Sequence, residues 1–183
     1  MDRDELKRKA LSALHHLMLG GSALALLAQA LPLSPAVALA ALAGGWIAGS
    51  YVEYAVHRHL FHGRGLPARV HMRHHARPAR EQLDPFSYFG PLAVAIVVWL
   101  ALRAAVPDVA IVNGLAAGLF LQYCWFRAVH RRMHVPSHPL SRGALARFHA
   151  GHHADVRCNF GVTARLWDRL LGTRRAPAPA RAD

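Results

Sequence analysis

Cysteine is scarce in this chain: two among 183 residues, Cys124 and Cys158, too far apart in sequence to form a CxxC pair. That excludes a disulfide scaffold and a thiolate zinc finger, so any metal chemistry must run on other donors. Charge is equally scarce, at 17% against about a quarter in an ordinary soluble domain. Hydrophobic residues make up 54%, and the 10 acidic residues are outnumbered by 22 Lys and Arg, for a formal net charge of +12. A chain that is both oily and basic is neither disordered nor an ordinary cytosolic globule. The basic residues have no aromatic interleaving of the kind that reads nucleic acid, so nucleic acid is not an expected partner.

The most informative absence is local. From Leu17 to Val52, 36 residues carry no charge, and the run is interrupted only at Pro32-Leu33-Ser34-Pro35. Each half is close to the ~20 residues that cross a hydrocarbon core, which predicts two spans and a tight turn. Pro85 to Leu102 and Val109 to Phe126 repeat the pattern about a reversal at Val106-Pro107-Asp108. The first span is not read as a cleaved signal peptide, because its apolar stretch runs through the turn into a second span. Of the 22 basic residues, 21 lie before Leu17, between His57 and Arg80, or from Arg127 onward, and only Arg103 falls on the far side. Both termini and the central loop are therefore expected in the cytoplasm. There the positive charge meets anionic lipid headgroups.

Small residues at four-residue spacing, Ala41, Gly45 and Gly49 in the second span and Gly114 and Gly118 in the fourth, predict close packing of helices within the chain. The expected fold is all-α: an integral membrane four-helix bundle of two hairpins. The Pro/Ala-rich stretch 174–183 is expected to be a disordered tail, leaving 1–173 as one domain.

Histidine is what the sequence has in excess. Of fourteen, twelve lie between His57 and His153, all outside the uncharged runs. Ten form four blocks: His57 and His62; His71, His74 and His75; His130 and His134; His149, His152 and His153. On a helix, residues three and four apart share a face, so the last three blocks each present two or three imidazoles together. His57 and His62 are five apart and converge only if the helix ends or bends there, an ending that Gly63-Arg64-Gly65 makes plausible. His15 and His16 at the entry to the first span, His59 on a different helical face and His138 in a loop are given no chemistry. Ten imidazoles exceed what one ion accepts, so the blocks are expected to share two metal ions. Neutral ligands leave the metal charge largely uncompensated, which favours a strongly electrophilic oxidant once O2 is bound. Imidazole suits iron and zinc alike. Glu53, one turn before His57, and Asp155, two residues after His153, are placed to orient a ligating imidazole through its free N–H.

In these four blocks, HX4H, HX2HH, HX3H and HX2HH, and in Asn159-Phe160-Gly161-Val162-Thr163 and Leu166-Trp167-Asp168-Arg169-Leu170-Leu171-Gly172-Thr173, the sequence resembles the fatty acid hydroxylase/sterol desaturase superfamily of membrane di-iron oxygenases. The resemblance runs from about Tyr51 to Thr173. The HX3H block followed by Val-Pro-Ser-His-Pro is closer to the fatty acid 2-hydroxylases than to bacterial carotene hydroxylases. It implies a membrane bundle with a cytosolic histidine-rich dimetal cap, two iron ions with zinc a possible occupant after purification, O2 as co-substrate, and hydroxylation of a membrane lipid, most naturally a fatty acyl chain. Desaturation, or hydroxylation of a carotenoid or sterol, is the alternative within the superfamily. The resemblance also assigns Asn159 a supporting role, while Trp167 and Arg169 are expected to fix the C-terminal segment at the membrane interface. No haem-binding His-Pro-Gly-Gly of a cytochrome b5 domain occurs, and only sixteen residues precede the first span. An external donor of ferredoxin or cytochrome b5 type is therefore expected. The Ala/Arg-rich composition points to a high-GC bacterium and its cytoplasmic membrane. The rival from another class, a membrane metal transport or storage protein, calls for ionisable residues midway along the spans, and these runs lack them.

Overall fold

The computed structural model describes residues 3–78 and 85–176. The end of the central loop, including Arg80, and residues 177–183 of the expected tail lie outside the described residues. All regular structure in the described residues is helical: α1 (Arg3–Ala28), α2 (Pro35–Ala55), a π-helix (Val56–Phe61), α3 (Leu66–Ala76), α4 (Pro85–Ala105), α5 (Val109–Met133), a 3₁₀ turn (Pro139–Arg142), α6 (Ala144–Ala154) and α7 (Leu166–Leu170). The helix limits follow from local chemistry. Pro35 opens α2 at the first helical position, where its missing N–H costs nothing. Asp108 caps α5, its carboxylate accepting the N–H groups of Ala110 and Ile111 at 2.8 and 3.1 Å. The two expected reversals thus sit where the proline-containing segments put them.

Among the described residues, three stretches are long and apolar enough to cross a membrane: Lys9–Ala28, Pro35–Phe61 and Val109–Met133. The remaining expected span corresponds to α4, a 21-residue helix. The described residues divide into two compact units, one within 1–49 and 82–124, the other within 50–81 and 125–183.

In the first unit the usual distribution of polarity is inverted. Leu17, Leu24, Leu39 and Val97 are each more than 60% exposed, whereas Ala23, Ala30 and Ala117 are fully buried and Ser12, Asn113 and Gln122 are buried with them. Water would drive the leucines inward at roughly 25 cal/mol per Å² of apolar surface. A surface greasier than the interior is at rest only in hydrocarbon, so this is an integral membrane protein. The buried Asn113 amide is satisfied internally, as hydrocarbon requires: it donates to Gln29 Oε1 at 3.2 Å and accepts from Trp99 Nε1 at 3.3 Å.

The glycine stripe lets α2 and α5 touch along their backbones. A Cβ at Gly45 would overlap the Leu115 carbonyl, and one at Gly118 would overlap the Leu42 carbonyl. Gly45→Leu should therefore lower the thermal midpoint of the detergent-solubilised protein, with a cost at or above the ~1–3 kcal/mol of an overpacked site. An unchanged midpoint would mean that the two helices do not rely on this approach.

The second unit has its own small core of Val129 and Met133 from α5, Ala146 from α6 and Val162 from the loop that follows. Arg174 and Arg175, which composition places in the tail, are ordered here: the Arg174 N–H donates to the Asp168 carbonyl at 3.0 Å and the Arg175 N–H to Asn159 Oδ1 at 2.7 Å.

Candidate metal centre

All ten block histidines lie in the second unit, and they form two groups of five. His57, His62, His71, His75 and His152 make set A; His74, His130, His134, His149 and His153 make set B. Within each set the five ligand atoms lie within 4.8 Å of one another.

The backbone explains how the sequence does this. Residues five apart on an α-helix diverge by about 140°, so His57 and His62 could not converge on a continued α2. The chain does not simply end or bend there. It widens into a π-helix, in which the His62 N–H bonds the His57 carbonyl at 3.2 Å and brings residue i+5 over residue i. The two rings come within 5.1 Å, centroid to centroid. The HX2HH blocks on α3 and α6 are divided between the sets: His71 and His75 enter set A while His74 between them enters set B, and His149 and His153 enter set B while His152 enters set A. The third block pairs His130, at the end of α5, with His134 just beyond it, their Nε2 atoms 3.3 Å apart.

The Nε2 atoms face one another. In set A the separations are 3.0 Å for His57–His71, 3.1 Å for His71–His75 and 2.9 Å for His62–His152. In set B they are 3.0 Å for His130–His149, 3.2 Å for His134–His149 and 3.1 Å for His149–His153. Metal–imidazole bonds are about 2.0–2.1 Å long, so neighbouring ligands on one ion stand about 3.0 Å apart. The spacing is that of a coordination polyhedron. His57 and His152 make the fit sharper, because their Nδ1–H groups donate to the carbonyls of Phe160 and Cys158, the latter at 2.7 Å. In the neutral tautomer this leaves a bare Nε2 lone pair on each, aimed at the set. His74 Nε2 is buried with no hydrogen-bond partner, amid the rings of His130, His134 and His153 at 4.6–5.0 Å. Converging lone pairs and an orphaned buried nitrogen are unfavourable without a cation and fit one well. Phe61 stacks on His71 and Phe126 on His130, fixing ring planes.

Burial and mutual repulsion keep these imidazoles neutral. Burial lowers His62 to about 4, assisted by His152. It lowers His74 and His75 to about 3, His134 to about 4 and His153 to about 2, with neighbouring histidines adding to the effect on all but His134. His71 and His149 move in the same direction for the same reasons. His152 is lowered by burial against opposition from the Cys158 carbonyl and from Asp168 and Asp155. Each group takes up its proton more readily unfolded, at about 6.5. The stability of the metal-free protein should therefore be full above about pH 6.5 and fall as the pH drops toward 4. Thermal melts of chelator-treated protein check this; a midpoint flat from pH 7 to 5 would contradict it.

The supporting residues differ in what they touch. Glu53 accepts the N–H groups of Val162 and Thr163 at 2.7 and 3.0 Å and the Thr163 hydroxyl at 2.6 Å. Its carboxylate thus holds the 162–163 backbone, and the Nδ1 of the neighbouring His57 is taken by Phe160. Asp155 pairs with Arg157 and Arg175 at 2.9 and 2.7 Å and shapes the turn carrying Cys158. Asn159, left-handed at φ 56°, as asparagine tolerates, donates to the Phe148 carbonyl at 3.4 Å. Trp167 anchors α7 by donating to Ser50 Oγ at 2.9 Å and packing edge-on against Tyr51. His138 caps the 3₁₀ turn at Leu140, and His59 is exposed.

Sequence reasoning gives no role to Asp168. It is fully buried, and its carboxylate accepts Phe160 N–H, Gly161 N–H and the Thr173 hydroxyl at 2.8, 2.7 and 2.7 Å. A single acid between Trp167 and Arg169 gives no periodic signal of this. Only its place in the C-terminal motif marks it.

Residues 42–173 match the fatty acid hydroxylase family model. The chain belongs to the fatty acid hydroxylase family. Within it, the sequence is similar to the fatty acid 2-hydroxylases: 29% identical over 139 residues to a dihydroceramide fatty acyl 2-hydroxylase of Arabidopsis thaliana, covering 68% of this chain and 56% of the relative. It is also 29% identical over 143 residues to the fatty acid 2-hydroxylase of Rattus norvegicus, covering 70% and 38%. This family member thus spans about half or less of the curated relatives it matches. Its fold is similar to the hydroxylase domain visible in full-length scs7p, with a TM-score of 0.62 at 21% identity over 92% of this chain and 65% of that one.

Proposed function

We propose that this protein is a membrane-embedded lipid hydroxylase whose two histidine sets each hold one iron ion. The observation that carries the proposal is the division of ten histidines into two groups of five with Nε2 atoms at coordination spacing. Iron bound there supplies O2 activation and the insertion of one oxygen atom into a substrate C–H bond. The chain's own contribution is to hold ten neutral donors in place, with the His57 and His152 tautomers fixed by the Phe160 and Cys158 carbonyls. Because no carboxylate belongs to either set, the ligands offset none of the metal charge.

In this reading the two units work as one catalytic domain, 1–173, a four-helix bundle of two hairpins bearing a cytosolic histidine-rich cap. Both termini lie in the cytoplasm of a bacterial cell, as the basic residues favour, and electrons come from an external ferredoxin or cytochrome b5. The names of the relatives favour a fatty acyl chain as substrate and hydroxylation over desaturation. The test is lipid analysis of a host lacking such activity, expressing either this chain or its His74→Ala variant. Hydroxylated acyl chains with the parent and none with the variant are expected. New double bonds would make the protein a desaturase, and unchanged lipids with raised cellular metal would favour storage or transport.

A further inference from the structure

The loop after α6 presents opposite chemistry on its two sides. The carbonyls of Cys158 and Phe160 receive His152 and His57 of set A. The N–H groups of Phe160 and Gly161 go to Asp168, and those of Val162 and Thr163 to Glu53. Four consecutive backbone donors are thus held by two carboxylates, and the carbonyls that aim set A are fixed as a consequence. Asp168 is the more central of the pair: fully buried, it also accepts the Thr173 hydroxyl, which contacts the Tyr54 hydroxyl at 3.0 Å. Each set also holds a buried Nδ1 with no hydrogen-bond partner, on His75 in set A and on His149 in set B, so what marks set A is the pair of loop carbonyls that receive His57 and His152.

We propose that Asp168 is a positioning residue for one of the two metal sites: through the Phe160 and Gly161 backbone it fixes the carbonyl that orients His57, so the ion in set A depends on it while the ion in set B does not. The inference rests on the two-metal reading above. Backbone or carboxylate partners of ligating histidines typically govern 10–100-fold in metal affinity, and that is the effect expected here, confined to one site. Asp168→Asn keeps the size of the side chain but turns one oxygen into a donor, which would face the Phe160 or Gly161 N–H and push the loop away.

The test is zinc binding to the full-length, chelator-stripped protein in detergent, followed by competition with a chromophoric chelator. The parent should bind two ions, His74→Ala should lose the site built by set B, and Asp168→Asn should weaken the other by 10–100-fold with the first unaltered. Thr173→Val, which removes a donor to Asp168 together with the contact to the Tyr54 hydroxyl, should weaken the same site by a smaller factor and decides the matter if Asp168→Asn fails to fold. A parent that binds fewer than two ions would refute the two-metal reading itself. A parent that binds two, with variants that keep both at parental affinity or weaken both equally, would overturn the role of Asp168 alone.

Discussion

His152→Ala and His74→Ala should each remove one metal ion per chain and leave the other. His152 contributes to set A and His74 to set B, although each comes from an HX2HH block whose other two members serve the opposite set. If the blocks themselves were the binding units, substitutions within one block would act on the same ion. The geometry requires instead that His71→Ala and His75→Ala behave like His152→Ala, and that His149→Ala and His153→Ala behave like His74→Ala. Hydroxylation should fall by at least ~100-fold in every case, because losing a direct ligand is more severe than losing its partner. Metal analysis beside single-turnover assays checks both. Block-wise loss, with His74→Ala and His75→Ala removing the same ion, would overturn the assignment.

The second large effect concerns electrons. Insertion of one oxygen atom from O2 into a C–H bond consumes two external electrons, with the other oxygen leaving as water. The sequence carries no flavin or dinucleotide GxGxxG, no haem motif and no cysteine set for an iron–sulfur cluster. Iron-loaded protein in liposomes given NADPH and O2 should therefore form no hydroxylated lipid, and adding a ferredoxin or cytochrome b5 with its reductase should start turnover. Because the chain is strongly basic and such carriers are acidic, the rate should fall as salt rises. Sustained turnover without a carrier would refute the dependence, and a salt-independent rate would leave the arginines to lipid headgroups.

Much of this arrangement is legible in the amino-acid sequence. Uncharged runs of membrane length, proline-marked reversals and imidazoles three or four apart are local patterns, and α1, α2, α4 and α5 together with the helices carrying His71 and His149 follow from them. What stays hidden depends on tertiary geometry. Nothing local distinguishes a helix that stops after His57 from one that widens into a π-turn, since the gain is the convergence of His57 with His71 and His152, remote in sequence. The splitting of each HX2HH block is hidden for the same reason: i, i+3 and i+4 share a face, and only the opposing helices decide which ion each ring meets. Glu53 is a further case. Its position one turn before His57 suggests a partner for that ring, yet its carboxylate reaches 109 and 110 residues along the chain to the N–H groups of Val162 and Thr163.

The proposed lipid hydroxylation stands or falls with two all-histidine sites that would each hold one iron ion. Iron quantification on anaerobically reconstituted protein, combined with X-ray absorption at the iron edge, reads both the number of ions and the atoms bound to them. Two iron ions per chain are expected, with imidazole nitrogen as the protein donor to both. One ion per chain, or a sulfur donor in the spectrum, would contradict the assignment.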